Sequence, residues 1–177
     1  MNRALSVAMI GILTAMGIAI QLSPRPPQVE FTSLIVFVTG MVFGSIMGSS
    51  LGALIMLVNG FLSSYGFGGL YIPFQMAGMA ITGFSGGLYG KLSNLGNPYR
   101  EAKKAAGWHI EAAVMGAFLT TIYQILMIVA VGLVLTTSFF VAFIVSIPAM
   151  VTQVVSNIII FGIMVFPLFY GIKRILR

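Results

Sequence analysis

The residues that could carry out chemistry are few, and most of them are uncharged. The chain of 177 residues contains three glutamates, one histidine and no cysteine. His109 and Glu111 form a His-x-Glu pair beside Trp108, but a metal site needs further ligands and there is no second histidine. A hydrolase needs a nucleophile with a base, or carboxylates for acid–base or metal chemistry. We therefore predict no catalytic residue, no metal site and no cofactor.

Neutral polar residues inside the apolar segments are better candidates, and the chemistry they offer is ligand binding. Polar side chains are costly in lipid, so they usually face the interior of a helical bundle, where hydrogen bonds between helices are the alternative explanation. Several of them fall at a similar depth beneath two loops rich in Gly, Pro and aromatic residues, which favours a binding site. The candidate binding residues are Asn59, Gln75, Tyr123, Gln124, Gln153 and Asn157 of the apolar segments, together with Arg25, Glu30, Tyr65 and Tyr71 of the two loops.

Composition indicates that helices in a membrane must position these residues. Hydrophobic residues make up 59% of the chain and charged residues 7%, against about 25% charged in a typical soluble domain. Backbone groups in lipid must be satisfied internally, and long apolar runs without alternation favour helices over a barrel. We predict an all-α integral membrane protein that forms one compact bundle of six transmembrane helices. The predicted helices span about residues 4–22, 31–45, 49–62, 72–92, 109–135 and 139–172.

The second and third predicted helices come from a single apolar stretch. The segment Gly44–Gly52, GSIMGSSLG, interrupts it, and clusters of Gly and Ser mark turns or close approach of the backbone. We therefore split the stretch into two short helices that pack within the bundle. One unbroken, tilted helix is the alternative.

The orientation of the bundle follows from the basic residues. Short loops rich in Lys and Arg stay on the cytoplasmic side of a membrane, and the polar loop Lys91–Gly107, KLSNLGNPYREAKKAAG, carries four of them. With six helices both termini are cytosolic, and Arg25 is the only basic residue outside. The net charge of +6 then reflects topology and not nucleic-acid binding. We expect the apolar N-terminal segment to be a retained helix and not a cleaved signal peptide.

The first predicted helix carries small residues about one turn apart. Ala4, Ala8, Gly11 and Ala15 repeat at spacings of three or four, which places them on one face of a helix. Small side chains let another helix approach closely. This face either packs inside the bundle or contacts a partner in the membrane.

Several stretches together resemble the substrate-binding S components of energy-coupling factor (ECF) vitamin transporters. The resemblance covers nearly the whole chain. It lies in ALSVA and GILTA of the first helix, the loop SPRPPQVEFTSL, the glycine-rich VTGMVFGSIMGSSLGALIMLVNGF, and YIPFQMAGMAITGFSGGLYG of the fourth helix.

The resemblance implies a function and a set of partners. An S component of this family holds a vitamin in an outward pocket formed by helices four to six and closed by two loops, here Arg25–Phe31 and Ser63–Tyr71. It docks through small residues of its first helix onto a membrane scaffold subunit, which two cytosolic ATPase subunits drive. Ala4, Ala8, Gly11 and Ala15 would be the docking residues. The protein would then lie in the cytoplasmic membrane of a prokaryotic cell.

The expected ligand is a neutral vitamin. An acidic vitamin such as biotin would need a cation, and only Arg25 is available outside. The stretches PRPPQVEFTSL and NGFLSSYGFGGL resemble S components linked to cobalamin, so we rank cobalamin or a related corrinoid first and riboflavin next. The alternatives are a stand-alone carrier or channel and a membrane subunit without transport activity.

Overall fold

The computed structural model describes residues 3–24, 26–62, 67–93 and 98–175, with side chains omitted at 3–6, 98–106 and 175. In these residues the fold is all-helical and contains no strand. The helices are α1 Arg3–Leu22, α2 Thr32–Phe43, α3 Ser45–Leu62, α4 Tyr71–Leu92, α5 Pro98–Val134 and α6 Phe139–Ile175. The predicted all-α class is confirmed.

A single residue, Gly44, separates α2 from α3 and reverses the direction of the chain. Its φ of 97° is in the left-handed region, which glycine adopts at little cost. A Cβ atom added at Gly48 would lie 2.7 Å from Gly40 Cα, and one at Gly52 would lie 3.0 Å from Val36 Cγ1. The two helices therefore fold back on each other. The interruption is shorter than the predicted Gly44–Gly52, because α3 begins at Ser45 and not near residue 49.

Helix α4 packs against this hairpin with its backbone close to the glycines of α3. A Cβ atom at Gly48 would lie 2.6 Å from the carbonyl oxygen of Gly83, and one at Gly52 would lie 2.5 Å from that of Met79. The Ser49 hydroxyl donates a hydrogen bond of 3.0 Å to a backbone carbonyl of α4. The close contacts at Gly48 and Gly52 require glycine, because a side chain at either position would push the helices apart.

Helices α5 and α6 form a second, much longer hairpin. Each has 37 residues and so extends about 55 Å at 1.5 Å per residue. The helices run antiparallel, since His109 near the start of α5 contacts the Gly162 carbonyl late in α6, with 2.6 Å between Nδ1 and the oxygen. Pro148 and Pro167 both lie inside α6, which continues through them as one helix.

Helix α5 starts earlier than predicted. The sequence placed its start near residue 109 after a polar loop, whereas the helix begins at Pro98. Proline suits the first position of a helix, where its missing N–H has no intrahelical partner to lose. The Arg, Glu, Lys and Ala residues that follow are good helix formers. A polar sequence of this kind does not prevent a helix.

The surface of the bundle is unusually apolar. Large hydrophobic side chains on α5 form an exposed stripe with helical spacing, comprising Ile110, Val114, Phe118, Ile125 and Val129. Exposure on this scale is typical of a surface that contacts lipid or a partner.

Three of the helices described are long and apolar enough to cross a membrane. The segments are Ser45–Leu62, Gly107–Val134 and Phe139–Arg174. Helix α2, with 12 residues, is apolar but shorter than the about 20 residues that a single spanning helix needs. Helix α1 is apolar over Val7–Leu22, the part of it whose side chains are described. The finer prediction, six spanning helices with cytosolic termini, stays a prediction.

The glycine contact between α3 and α4 leads to a test of stability. We expect Gly83→Ala to lower the free energy of unfolding by roughly 1–3 kcal/mol, because the added methyl group would overlap the Gly48 carbonyl group. The measurement is thermal unfolding in detergent, followed by circular dichroism.

Gly171→Ala in α6 is the matched control, because a Cβ atom there meets nothing within 4 Å. We expect it to be neutral or slightly stabilising, since Ala is favoured over Gly in a helix by about 1 kcal/mol. Equal midpoints for the two variants would show that close approach at Gly83 does not matter for stability.

Candidate functional site

A partly open cavity of about 810 Å³ lies at one end of the bundle. It is bounded by the end of α1, the loop before α2, the end of α3, the loop between α3 and α4, the start of α4, the second half of α5 and the first half of α6. Five helices and two loops therefore supply its walls. A volume in the range of about 300–1,000 Å³ is typical of small-molecule sites.

Most of the predicted binding residues meet at this cavity. Arg25 and Tyr65 lie outside the described residues, and Asn157 lies deeper, in the wall of a small inner cavity. The two cavities share Glu30, Tyr123 and Gln153 in their walls. That these residues bind a ligand stays a prediction. The predicted binding residues that line the main cavity are Glu30, Asn59, Tyr71, Gln75, Tyr123, Gln124 and Gln153.

Three of these residues form a buried hydrogen-bonded row, which we name the carboxylate–amide chain: Glu30, Gln153 and Gln124. Gln153 Nε2 donates to Glu30 Oε1 at 2.8 Å, and Gln124 Nε2 donates to Gln153 Oε1. The three residues are only 7%, 4% and 6% exposed, in the same order. Burial of a carboxylate is costly unless hydrogen bonds satisfy it. The carboxylate–amide chain therefore holds the cavity wall in place and also lines the cavity.

Local structure explains how each member reaches its place. Glu30 ends the proline-rich loop, and the Ser33 hydroxyl in the first turn of α2 donates to its Oε1 at 2.9 Å. Gln124 of α5 lies opposite Gln153 of α6 because the two helices are antiparallel. The loop and the long hairpin are thus joined by side chains that are 123 residues apart in sequence.

Asn157 is one helical turn from Gln153 and belongs to a second network. Its Nδ2 donates to Thr120 Oγ1 at 2.7 Å, and the Thr120 hydroxyl donates to the Gly116 carbonyl at 2.7 Å. Asn157 Oδ1 is buried and has no hydrogen-bond partner. The amide nitrogen therefore holds α6 to α5, and Asn157 lines the inner cavity.

Gln21 and Gln28 also line the cavity but were not among the candidate binding residues, although Gln28 falls within the loop Arg25–Phe31 that was predicted to close the pocket. Gln21 accepts a hydrogen bond of 2.7 Å from the Thr32 hydroxyl, which ties the end of α1 to the start of α2. It is the only side-chain amide in α1 and directly precedes the proline-rich loop, a signal that could have identified it. Gln28 has a φ of 65°, which sequence alone does not reveal.

The His-x-Glu pair lies at the other end of the bundle from the cavity. His109 contacts the Gly162 carbonyl, and Glu111 accepts a hydrogen bond of 3.0 Å from the Tyr89 hydroxyl. These two side chains reach different helices, α6 and α4. In the described part of the chain, no group of three or more His, Cys, Asp or Glu residues could hold a metal ion.

Two glutamines of the cavity wall allow the structural role of Gln153 to be tested. We expect Gln153→Leu to cost about 1–3 kcal/mol of stability, because Gln124 Nε2 loses its acceptor and Glu30 loses a donor. Gln75→Leu makes the same chemical change, but Gln75 makes no hydrogen bond within the structure described. Its cost should stay within about 0.5 kcal/mol.

The measurement is thermal unfolding of both variants beside the unsubstituted protein. If Gln75→Leu were as destabilising as Gln153→Leu, the loss of stability would come from exposing leucine in the cavity and not from breaking the hydrogen bonds of the carboxylate–amide chain.

Comparison of the sequence and structure with protein-family models, curated proteins and solved structures gave no match.

Proposed function

We propose that the protein is the substrate-binding S component of an ECF-type vitamin importer and holds its vitamin in the cavity. The observation that carries the proposal is the convergence of seven predicted binding residues, drawn from α3 to α6 and the loop before α2, on one partly open cavity. Interhelical hydrogen bonding accounts for some of them, but it does not account for Gln75, Asn59 and Tyr71. These side chains line open space and make no hydrogen bond to the described residues.

The distribution of basic residues supports an outward-facing cavity. Lys91 lies in the last turn of α4, and Lys173 and Arg174 lie in the last turn of α6. Both positions are at the opposite end of the bundle from the cavity, since the cavity wall contains the start of α4 and only the first half of α6. Lys and Arg favour the cytoplasmic side. In our proposal the six helices span the cytoplasmic membrane of a prokaryotic cell, with both termini in the cytosol.

The lining favours a neutral, ring-bearing vitamin. Its polar groups are mainly amides and hydroxyls, and the described lining contains no Lys, Arg or His. Tyr71, Tyr123 and Phe67 offer flat surfaces on which a ring can pack. On the resemblance we place cobalamin or a related corrinoid first and riboflavin next.

The first helix supports docking to a partner. Ala8, Gly11 and Ala15 are exposed, and a Cβ atom at Gly11 would meet nothing within 4 Å. Another side of α1 packs against the bundle, where Gly17 faces Ile55 of α3. The exposed row is therefore free to contact the scaffold subunit, and two ATPase subunits would supply the energy. Ala4 continues the row in α1, without a described side chain.

The ligand can be identified on the purified protein. After expression in cells supplied with several vitamins, we expect a stoichiometric corrinoid or flavin in the visible absorbance and mass spectra. Gln75→Leu should retain less of it with an unchanged unfolding temperature, since Gln75 lines the cavity without supporting the fold.

Two results would contradict the proposal. One is the absence of any bound vitamin together with no thermal stabilisation when each is added. The other is uptake into liposomes by the protein alone, which would indicate a stand-alone carrier or channel.

Docking through α1 can be separated from ligand binding. We expect Ala8→Phe to prevent co-purification of the scaffold and ATPase subunits while vitamin binding is unchanged, because a large side chain blocks close helix approach. Val114→Phe is the control, since Val114 is exposed on the apolar stripe of α5. A complex that survives Ala8→Phe would show that α1 is not the contact.

A further inference from the structure

The carboxylate–amide chain has a fixed direction. A carboxylate oxygen that takes hydrogen bonds acts as acceptor, and Glu30 Oε1 takes one from the Ser33 hydroxyl and one from Gln153. The amide of Gln153 must therefore turn its nitrogen towards Glu30. Its carbonyl oxygen is left to face Gln124.

The same reasoning fixes the second amide. Gln153 Oε1 can only accept, so Gln124 must present its nitrogen there, as observed. Gln124 Oε1 is then the acceptor at the end of the chain. It takes no hydrogen bond from any described residue, and Gln124 lines the main cavity. The direction set at Glu30 thus determines which atom the cavity offers.

We propose that Gln124 Oε1 recognises an N–H group of the ligand, so that the cavity selects a neutral group with an N–H beside a carbonyl. Primary amides, lactams and imides have this pattern. This inference rests on the proposed function, and it adds the chemical class that the site selects.

Two physical effects favour this class over acids and esters. A ligand without a donor would leave Gln124 Oε1 desolvated and unsatisfied in a buried site, which is costly. A carboxylate ligand would in addition place a second negative charge near Glu30. Gln124 Nε2 uses one N–H towards Gln153, so its second can meet the carbonyl of the ligand. The side-chain amides of a corrinoid and the imide of a flavin both have the required pattern.

Matched pairs of probes test the selection. The first pair is riboflavin and N3-methylriboflavin, which lacks the imide donor. The second is cyanocobalamin and the set of derivatives in which one side-chain amide is hydrolysed to a carboxylate. If riboflavin binds, we expect it to bind on the order of tenfold to a hundredfold tighter than N3-methylriboflavin. If cyanocobalamin binds, we expect the same difference from at least one of its acid derivatives. The dissociation constants are measured on the protein in nanodiscs.

Glu30→Gln tests the hydrogen-bond direction of the carboxylate–amide chain. A glutamine at position 30 can donate to Gln153 Oε1, which allows both amides to turn and present nitrogen to the cavity. We expect the preference for the donor-bearing probe to fall to about twofold or less. Ser33→Ala is the matched control, because it also removes a hydrogen bond to Glu30 Oε1 but keeps the carboxylate. It should keep the preference.

Gln124→Met provides a second route if Glu30→Gln folds poorly. It removes the acceptor and should equalise the two probes. Equal binding of both members of each pair by the unsubstituted protein would overturn the inference and leave the proposed function standing. Binding of neither vitamin would overturn the inference, whereas the proposed function would fail only if none of the added vitamins bound.

Discussion

A carboxylate buried in an apolar bundle must be hydrogen-bonded where it lies, and this requirement organises the cavity end of the molecule. Glu30 meets it through Ser33 and Gln153. Because Ser33 lies in α2 and Gln153 in α6, the carboxylate joins two helices that are far apart in the sequence. Gln124 extends the row to α5. Loss of the central amide would expose two partners at once, so the network acts as a unit.

The two ends of the bundle are built from different residues. Near Gly40, Gly48 and Gly83 the backbones of α2, α3 and α4 almost touch. Further along, α3 reaches Asn59, and α4 begins with Tyr71 and Gln75 at the cavity wall. Small residues therefore close one end of the three-helix group, while larger polar residues border open space at the other. The position of the cavity follows from this change in side-chain size along α3 and α4.

Composition and apolar length predicted the helical class, and the observed α4, Tyr71–Leu92, is one residue from its predicted range. The start of α5 was missed because polarity was taken as a sign of a loop. The polar residues of the cavity could be selected from the sequence, since few occur in apolar segments. Their hydrogen-bond partners could not, because these depend on how α5 and α6 are rotated against each other. A shift of one residue turns a helical side chain by about 100°, and nothing local fixes that rotation.

The one-residue turn at Gly44 pairs residues of α2 and α3 that are equally far from it in sequence. Gly40 faces Gly48, and Val36 faces Gly52, each pair being equally distant from Gly44. Adding or deleting one residue in either arm would misalign every pair beyond it. In evolution this segment should tolerate substitution outside its glycines far better than any change of length. A gap-free run with glycine at every fourth position from 40 to 52 is thus a signature by which distant relatives could be recognised.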